Sequence, residues 1–314
     1  MARYALQRIL LALPLLFGLS LLVFAYVRII PGDPVTAMLG VQSNPELVAR
    51  LRAQYGFDKP ILDQYLLWLG NILHGDFGIS FRSRQAVGPL IIDRIPATLQ
   101  LMLGGMLVAL VIAIPAGIRA GMRYRKRSDS VISTVTLVGL GSPGFWLGTF
   151  LMVIFALVLK VLPSQGYEPF LRDPVKSTQY MILPAVAIGL VAAPFLIRVV
   201  RSAVIEIMKE PFVPYADARG LGERIIFWRY IIRNLLPQFV VVLGVLVGVL
   251  LAGSVAIEAL FNWPGMGRIF IGAVTERDYA MLQALILVYG LIFVVINLIA
   301  EIAQAALDPR IRLK

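Results

Sequence analysis

Long uncharged stretches alternate with polar segments along this chain. Six stretches contain no aspartate, glutamate, lysine or arginine: residues 9–27, 95–118, 130–159, 177–197, 234–257 and 279–300. Each has about the 20 residues that a helix needs to cross the hydrocarbon core of a membrane. A charge at the centre of such a helix costs about 3 kcal/mol on insertion. The pattern therefore predicts an all-α integral membrane protein with six transmembrane helices.

Composition agrees with this class, since 59% of the 314 residues are apolar and the mean hydropathy is +0.83. We place the spans within a single transmembrane domain, 1–314, at about residues 9–30, 95–118, 130–159, 178–198, 236–257 and 279–301. Between them lie two long polar segments. Residues 31–94 follow the first span, and residues 199–235 connect the fourth span to the fifth.

The distribution of basic residues predicts the orientation. The amino terminus, the second and fourth loops and the carboxyl tail hold 17 of the 29 lysines and arginines. Because such residues are retained in cytoplasmic loops, both termini and the 199–235 loop are expected in the cytoplasm. The net charge of +11 then reflects topology, and no nucleic-acid partner is expected.

The 31–94 segment is consequently external, and it contains two short amphipathic stretches at 45–55 and 61–73. They predict a small helical segment after the first span. His74 is the only histidine, and the chain has no cysteine. These counts argue against a transition-metal site and exclude a disulfide framework.

Motifs for catalysis or nucleotide binding are missing from the sequence. It has no phosphate-binding loop, no His-Glu-x-x-His and no Gly-x-Ser-x-Gly. The predicted spans also lack the ionisable residues that usually mark an ion-coupled carrier. We therefore expect a transporter that draws energy from another chain. The alternatives are a stand-alone carrier or channel and, less well supported, an intramembrane hydrolase.

The 199–235 loop has its own structural pattern. Pro211 suits the first turn of a short helix over residues 212–219, and Gly220 suits a left-handed cap that ends it. From Glu223 onward, apolar and basic residues predict an interfacial helix that re-enters the bilayer at Pro237. The loop either presents a docking surface to a partner or merely enforces topology.

Several motifs resemble those of the permeases of ABC importers, and specifically the first permease subunit, usually called B, of the dipeptide, oligopeptide and nickel family. The likeness covers essentially the whole chain. Its motifs are Arg8-Ile-Leu with Pro14, Pro31-Gly-Asp-Pro, Asp58-Lys-Pro, Gln64-Tyr, Gly75-Asp-Phe-Gly-Ile-Ser, Arg94-Ile-Pro-Ala-Thr-Leu, Ala216-Asp-Ala-Arg-Gly-Leu, Arg233-Asn-Leu-Leu-Pro, Phe261-Asn-Trp-Pro-Gly-Met-Gly-Arg, Arg277-Asp-Tyr, Gln283 and Asp308-Pro-Arg-Ile-Arg.

This resemblance implies that the 199–235 loop couples the chain to an ATPase. Small Ala216 and Ala218 would allow the ATPase a close approach, and Asp217 stands where the family commonly has a basic residue. The residues that match the coupling motif are Glu210, Ala216, Asp217, Ala218, Gly220 and Leu221.

The second candidate site is the motif at residues 261–268, for which two interpretations stay open. Phe261 and Trp263 suit anchors at the membrane interface. The resemblance instead places the motif where the channel mouth meets a binding protein. The residues concerned are Phe261, Trp263, Pro264, Gly265 and Arg268.

The family also implies the partners and the mechanism. They are a second homologous permease, two cytoplasmic ATPases or one fused pair, an external solute-binding protein and the lipid of a prokaryotic inner membrane. The partner ATPases would bind ATP and magnesium, and this chain would hold no cofactor. The expected activity is import of dipeptides or oligopeptides by alternating access, with nickel, haem or glutathione as alternative substrates.

Overall fold

The computed structural model describes residues 2–29, 46, 52 and 58–307. Within these residues the secondary structure is helical, apart from one isolated bridge between Ile79 and Ala86. The helices are α1 (Ala2–Ile29), α2 (Ile61–Leu73), α3 (Val87–Ile92), α4 (Ile95–Met122), α5 (Arg127–Gly141), α6 (Gly144–Leu151) with a π-helical extension (Met152–Val158), α7 (Pro174–Lys209), α8 (Phe212–Ala218), α9 (Glu223–Ile225), a π-helix (Ile226–Ile232), α10 (Arg233–Leu260), α11 (Met266–Thr275) and α12 (Tyr279–Leu307).

Five helical stretches in the described residues are long and apolar enough to cross a membrane: Tyr4–Tyr26, Val87–Met122, Pro174–Lys209, Glu223–Leu260 and Tyr279–Leu307. A sixth crossing requires the pair Arg127–Gly141 and Gly144–Val158, which is bent by 100°. The predicted all-α membrane fold is confirmed. The stretch predicted as the third span is a broken helix rather than a straight one.

Pro143 explains this break. Proline has no amide hydrogen, and its ring keeps the preceding residue out of the helical region. Ser142 accordingly has an extended backbone, with φ −88° and ψ 121°. The other prolines that the sequence places within spans, Pro14, Pro115, Pro184 and Pro194, lie inside continuous helices.

Helix α7 is the central element, and α4 packs directly against it. A Cβ atom at Gly117 would lie 2.7 Å from Cβ of Val200, and one at Gly121 would lie 2.7 Å from Cβ of Val204. Side chains at these glycines would therefore push the two helices apart. Close approach of this kind is the role that small residues have between membrane helices.

Helices α1 and α12 pack side by side, and Arg8 forms an ion pair with Glu301 at 3.3 Å. The start of α1 and the end of α12 therefore lie at the same end of the molecule. Helix α2, whose position the sequence predicts correctly, lies against α1, where the hydroxyls of Tyr65 and Ser20 are 2.8 Å apart. The other predicted amphipathic stretch, 45–55, lies largely outside the described residues, as does the 308–312 motif.

Candidate functional site

The short helix α8 in the 199–235 loop ends as its sequence predicts. Gly220 adopts φ +73°, and its amide donates to the carbonyl of Asp217 at 2.8 Å. The amide of Leu221 donates to the carbonyl of Ala216 at 3.2 Å. This pair of hydrogen bonds is the Schellman arrangement, in which a left-handed glycine satisfies the last carbonyls of a helix. The cap sets the direction in which the chain leaves α8.

One face of α8 packs on the protein and the other is exposed. Val213 and Ala216 are buried in an apolar cluster with side chains of α7 and of the following π-helix. The small side chain of Ala216 therefore allows α8 to pack closely against α7 and the π-helix. The expectation that Ala216 allows the ATPase a close approach is wrong, because this residue is buried. Ala218 does face outward. The exposed face also carries Pro214, Tyr215 and Asp217, and Glu210 and Arg219 are exposed just before and just after the helix.

The segment after α8 is helical from Glu223 onward, as its sequence predicts, but no boundary occurs at Pro237. Glu223–Leu260 is one helical stretch, and Pro237 lies inside it without interrupting it. Membrane helices tolerate proline because local π-helical adjustments and neighbouring groups satisfy the freed carbonyls. Here the seven residues Ile226–Ile232 are π-helical, directly before the turn that contains the proline. The last part of the 199–235 loop, from Glu223 onward, is thus helical and continuous with the fifth span.

The 261–268 motif forms a turn between α10 and α11. Trp263 is 0% exposed, its indole Nε1–H donates to the carbonyl of Ala97 at 2.8 Å, and Tyr167 meets its ring edge-on. Phe261 is buried as well. The interpretation of these two rings as interfacial anchors is wrong, because both are enclosed by their own chain. Burial also raises the pKa of the Tyr167 hydroxyl, with a smaller contribution from the charge of Glu168.

A buried carboxyl group, Glu258, holds this turn in place. Its Oε1 accepts a hydrogen bond from the Thr98 hydroxyl at 2.8 Å. Its Oε2 accepts from the amides of Gly267 at 2.7 Å and Arg268 at 3.2 Å, and the amide of Met266 donates to Thr98 Oγ1 at 2.8 Å. The first amides of α11 are thereby satisfied, as helix termini require. Glu258 joins α4, α10 and α11 at a single point.

The two glycines of the motif make this contact possible. A Cβ at Gly265 would lie 2.5 Å from Cδ of Glu258, and one at Gly267 would lie 2.6 Å from Cα of Val255. Both distances are shorter than any tolerable contact. The motif predicts the turn at Gly265, but it gives no sign of Glu258, which lies one residue beyond the uncharged stretch 234–257.

A cavity of about 350 Å³ opens beside this turn. The guanidinium groups of Arg82, Arg94 and Arg268 line it, and Arg94 donates to the carbonyl of Pro264 at 3.5 Å. Of its two lining carboxylates, Glu276 pairs with Arg82 at 2.8 Å, and Asp278 is buried and accepts from the Ser80 hydroxyl at 2.5 Å. Among the described residues no carboxylate pairs with Arg268, which is exposed. The charged side chains that line the cavity therefore have a net positive charge.

An ion pair at the other end of the molecule ties α5 to α7. Asp129 accepts from Arg201 Nε at 2.6 Å and from its Nη2 at 2.9 Å, and the amide of Arg125 donates to the same carboxylate at 3.0 Å. Such two-pronged contacts are strong and directional. Arg201 lies in the first part of the predicted 199–235 loop, which is still helical because α7 continues to Lys209. In the described residues no cluster of three or more potential metal ligands occurs.

Comparison with known proteins identifies the class of molecule. Residues 113–313 match the family model "Binding-protein-dependent transport system inner membrane component", and residues 1–102 match the model of its amino-terminal part, "Binding-prot-dependent transport system membrane comp, N-term". The chain belongs to this family. It is a multi-pass inner-membrane permease subunit of an ABC importer, as the sequence motifs indicate.

Similar proteins match the permease over its full length. The glutathione transport system permease proteins GsiC of Shigella flexneri serotype 5b (strain 8401) and of Escherichia coli (strain K12) are each 34% identical to it over 314 residues, covering 100% of both chains. The solved structure of the MetNI methionine ABC transporter in inward-facing conformations is similar in fold. Its TM-score is 0.57 at 17% identity, and the match covers 70% of the permease and 96% of the matched chain.

Family membership decides between the alternatives left open by the sequence. It excludes a stand-alone carrier and an intramembrane hydrolase, since the family consists of transport components that depend on a binding protein. The permease is thus not an enzyme, and it works with ATPase and binding-protein partners.

Proposed function

We propose that this permease imports short peptides, with glutathione as the first compound to test, together with a second homologous permease. The partner ATPases bind ATP and magnesium in the cytoplasm, where the 199–235 loop and both termini also lie. The GsiC proteins support this ligand class, because they match the permease over its full length and their name assigns them to glutathione transport. Nickel and haem are the alternative ligands.

The observation that carries the coupling role is the geometry of α8. A two-turn helix is held on one face by the apolar cluster and ended by Gly220, which leaves its other face exposed for an ATPase. We assign the contact to Glu210, Asp217, Ala218 and the exposed part of the Gly220–Leu221 cap. Ala216 lies on the opposite, buried face of α8 and packs in the apolar cluster.

Motion of α8 has two routes into the membrane. The helix packs against α7, and the continuous stretch Glu223–Leu260 leads from the loop directly into the fifth span. When ATP binding draws the two ATPases together, α7 and the fifth span move with α8, and the permease pair opens outward. ATP hydrolysis returns the pair to the inward-facing state. The permease contributes two conformational states, and the chemistry occurs on its partners.

Reconstitution of the complete complex tests the proposed ligand. With its binding protein present, glutathione or a short peptide should stimulate ATP hydrolysis and accumulate in proteoliposomes in an ATP-dependent manner. Uptake of labelled ligand and phosphate release are measured together, and a complex without this permease is the control. Stimulation by nickel or haem alone, with no response to peptides, would contradict the peptide assignment.

The cavity beside the 261–268 turn is our candidate contact for the binding protein. Pro264 and Arg268 reach the surface there, whereas Phe261, Trp263 and Gly265 support the turn from inside. A surface with unpaired guanidinium groups attracts acidic groups on a partner and accelerates their encounter. We therefore place the channel mouth and the docking contact at this end.

Replacing Arg268 by glutamate should weaken docking selectively. We expect the concentration of liganded binding protein that gives half-maximal ATPase stimulation to rise roughly tenfold, because reversing one interfacial charge mainly slows association. Titration of the reconstituted complex with binding protein measures this concentration, and the maximal rate should be retained.

Lys176 provides the matched control for this charge reversal. It is exposed at the same end of the molecule but does not line the cavity. Lys176→Glu should leave the titration unchanged. If Arg268→Glu titrated like the wild type, or if both variants weakened stimulation equally, the cavity would not be the docking contact.

A further inference from the structure

A second cavity, larger than the one at the 261–268 turn, lies beside the 199–235 loop. Its volume is about 950 Å³, close to the upper end of the roughly 300–1,000 Å³ typical of ligand pockets. It is bounded by the last turns of α4 and by residues from both sides of Gly220. Asp217, which lies at its edge, also belongs to the proposed ATPase contact, but the other charged residues that line it take part in neither the coupling role nor the docking role.

The charged side chains that line this cavity are predominantly basic. Arg119, Arg123 and Lys126 approach from α4 and the loop that follows it, and Arg224 approaches from α9. All four are exposed, and no ion pair with a described carboxylate engages any of them. The carboxylates among the lining residues are Asp217 and Glu223, so two positive charges remain in excess. An anionic group is the complementary ligand.

The remaining wall of the cavity is apolar. From α4 it includes Pro115, Ile118 and Met122, and from the π-helix it includes Ile226 and Phe227. Free phosphate or an acidic protein segment would leave this wall in contact with water. A molecule that carries an anionic head and a hydrocarbon chain would satisfy both parts of the site.

Neighbouring residues place the cavity at the depth of lipid headgroups. Trp228, directly after a lining residue, is 60% exposed, and Ile225 is 47% exposed on the same helical stretch. Exposed tryptophan is typical of the membrane–water interface. The apolar body of α4 ends at Met122, and four of its next five residues are charged. Basic pockets between helices at this depth are suited to anionic headgroups.

We infer that this cavity binds an anionic phospholipid between the end of α4 and the start of the fifth span. The phosphate and headgroup lie among Arg119, Arg123, Lys126 and Arg224, and an acyl chain follows the apolar wall towards the bilayer. The bound lipid bridges a membrane-crossing helix and the loop that carries α8. The ligand of this site is therefore a membrane lipid, and its binding does not depend on which solute is transported.

Native mass spectrometry of the assembled complex tests this inference. Complexes in detergent are titrated with phosphatidylglycerol or phosphatidylcholine, and the fraction that retains lipid is measured. We expect phosphatidylglycerol to be retained preferentially. Arg123→Gln and Arg224→Gln, which lie on different elements, should each weaken its retention by about fivefold. Glu223→Gln should strengthen it.

Arg229 supplies the matched control, because it is exposed on the same helical stretch as Arg224 but does not line the cavity. Arg229→Gln should retain phosphatidylglycerol like the wild type. Equal retention of both lipids, or equal losses for Arg229→Gln and Arg224→Gln, would overturn the site. Displacement by inorganic phosphate would indicate a simple anion site. Weakened ATPase assembly with unchanged lipid retention would assign the cavity to an acidic segment of the ATPase instead.

Discussion

Replacing Gly220 by valine is expected to abolish ligand-stimulated ATP hydrolysis in the assembled complex while leaving the permease inserted in the membrane. Gly220 has φ +73°, and a non-glycine residue held in such a conformation costs about 1–3 kcal/mol, with β-branched residues least tolerated. A helix of seven residues has few other interactions to resist this strain. We expect α8 to lose its cap and its orientation, so that ATP hydrolysis with liganded binding protein falls to the unstimulated rate, a loss of about tenfold or more.

Two further substitutions distinguish backbone strain from other effects. Gly222 is equally surrounded by open space but has φ −60°, so Gly222→Ala should couple normally. Gly220→Asn should couple better than Gly220→Val, since asparagine tolerates the left-handed region. Phosphate release with and without liganded binding protein measures coupling, and immunoblots of membrane fractions measure insertion. Normal stimulation in Gly220→Val would refute the coupling role of this cap.

Removing the side chain of Glu258 should strongly destabilise the folded permease. Glu258→Ala leaves the Thr98 hydroxyl and two amides of α11 without their acceptor and opens a cavity at a fully buried position. Each orphaned buried group costs about 1–3 kcal/mol, against a total stability of about 5–15 kcal/mol for a typical protein. We expect the Tm in detergent to fall by roughly 5 °C or more.

Glu258→Gln is the conservative control, since its amide oxygen can still accept from Gly267 and Arg268. It should lose clearly less stability than Glu258→Ala. Thermal unfolding of both variants is followed by tryptophan fluorescence, to which the buried Trp263 contributes. If Glu258→Ala unfolded at the wild-type temperature, the carboxyl group would not be the junction of α4, α10 and α11.

Local chemistry explains why the 199–235 loop could be predicted in detail. The short helix and its left-handed glycine depend on residues within ten positions of each other, and the hydrogen bonds of the cap join Ala216 to Leu221 and Asp217 to Gly220. Their geometry is confirmed. Which face of α8 is buried depends on α7 and the π-helix, so the inward position of Ala216 could not be foreseen. Contact of the matched residues with an ATPase remains a prediction.

Glu258 illustrates what a search for uncharged stretches overlooks. The residue lies at the edge of such a stretch, where a carboxylate ordinarily reaches water. Its burial depends on Thr98 and on the amides of Gly267 and Arg268, and Thr98 is 160 residues away. The same long-range packing encloses Trp263, although tryptophan is a residue type that is common at the membrane interface.

Hydrophobic spacing, turn residues and motifs were enough to establish the membrane class, the helical fold, the permease family and the cap of α8, because each depends on composition or on neighbours in sequence. The tertiary structure alone decided the junction at Glu258, the burial of Trp263 and the cavity between α4 and the 199–235 loop. These features arise where distant segments meet. Burial and hydrogen bonding there depend on helix packing, which no local pattern encodes.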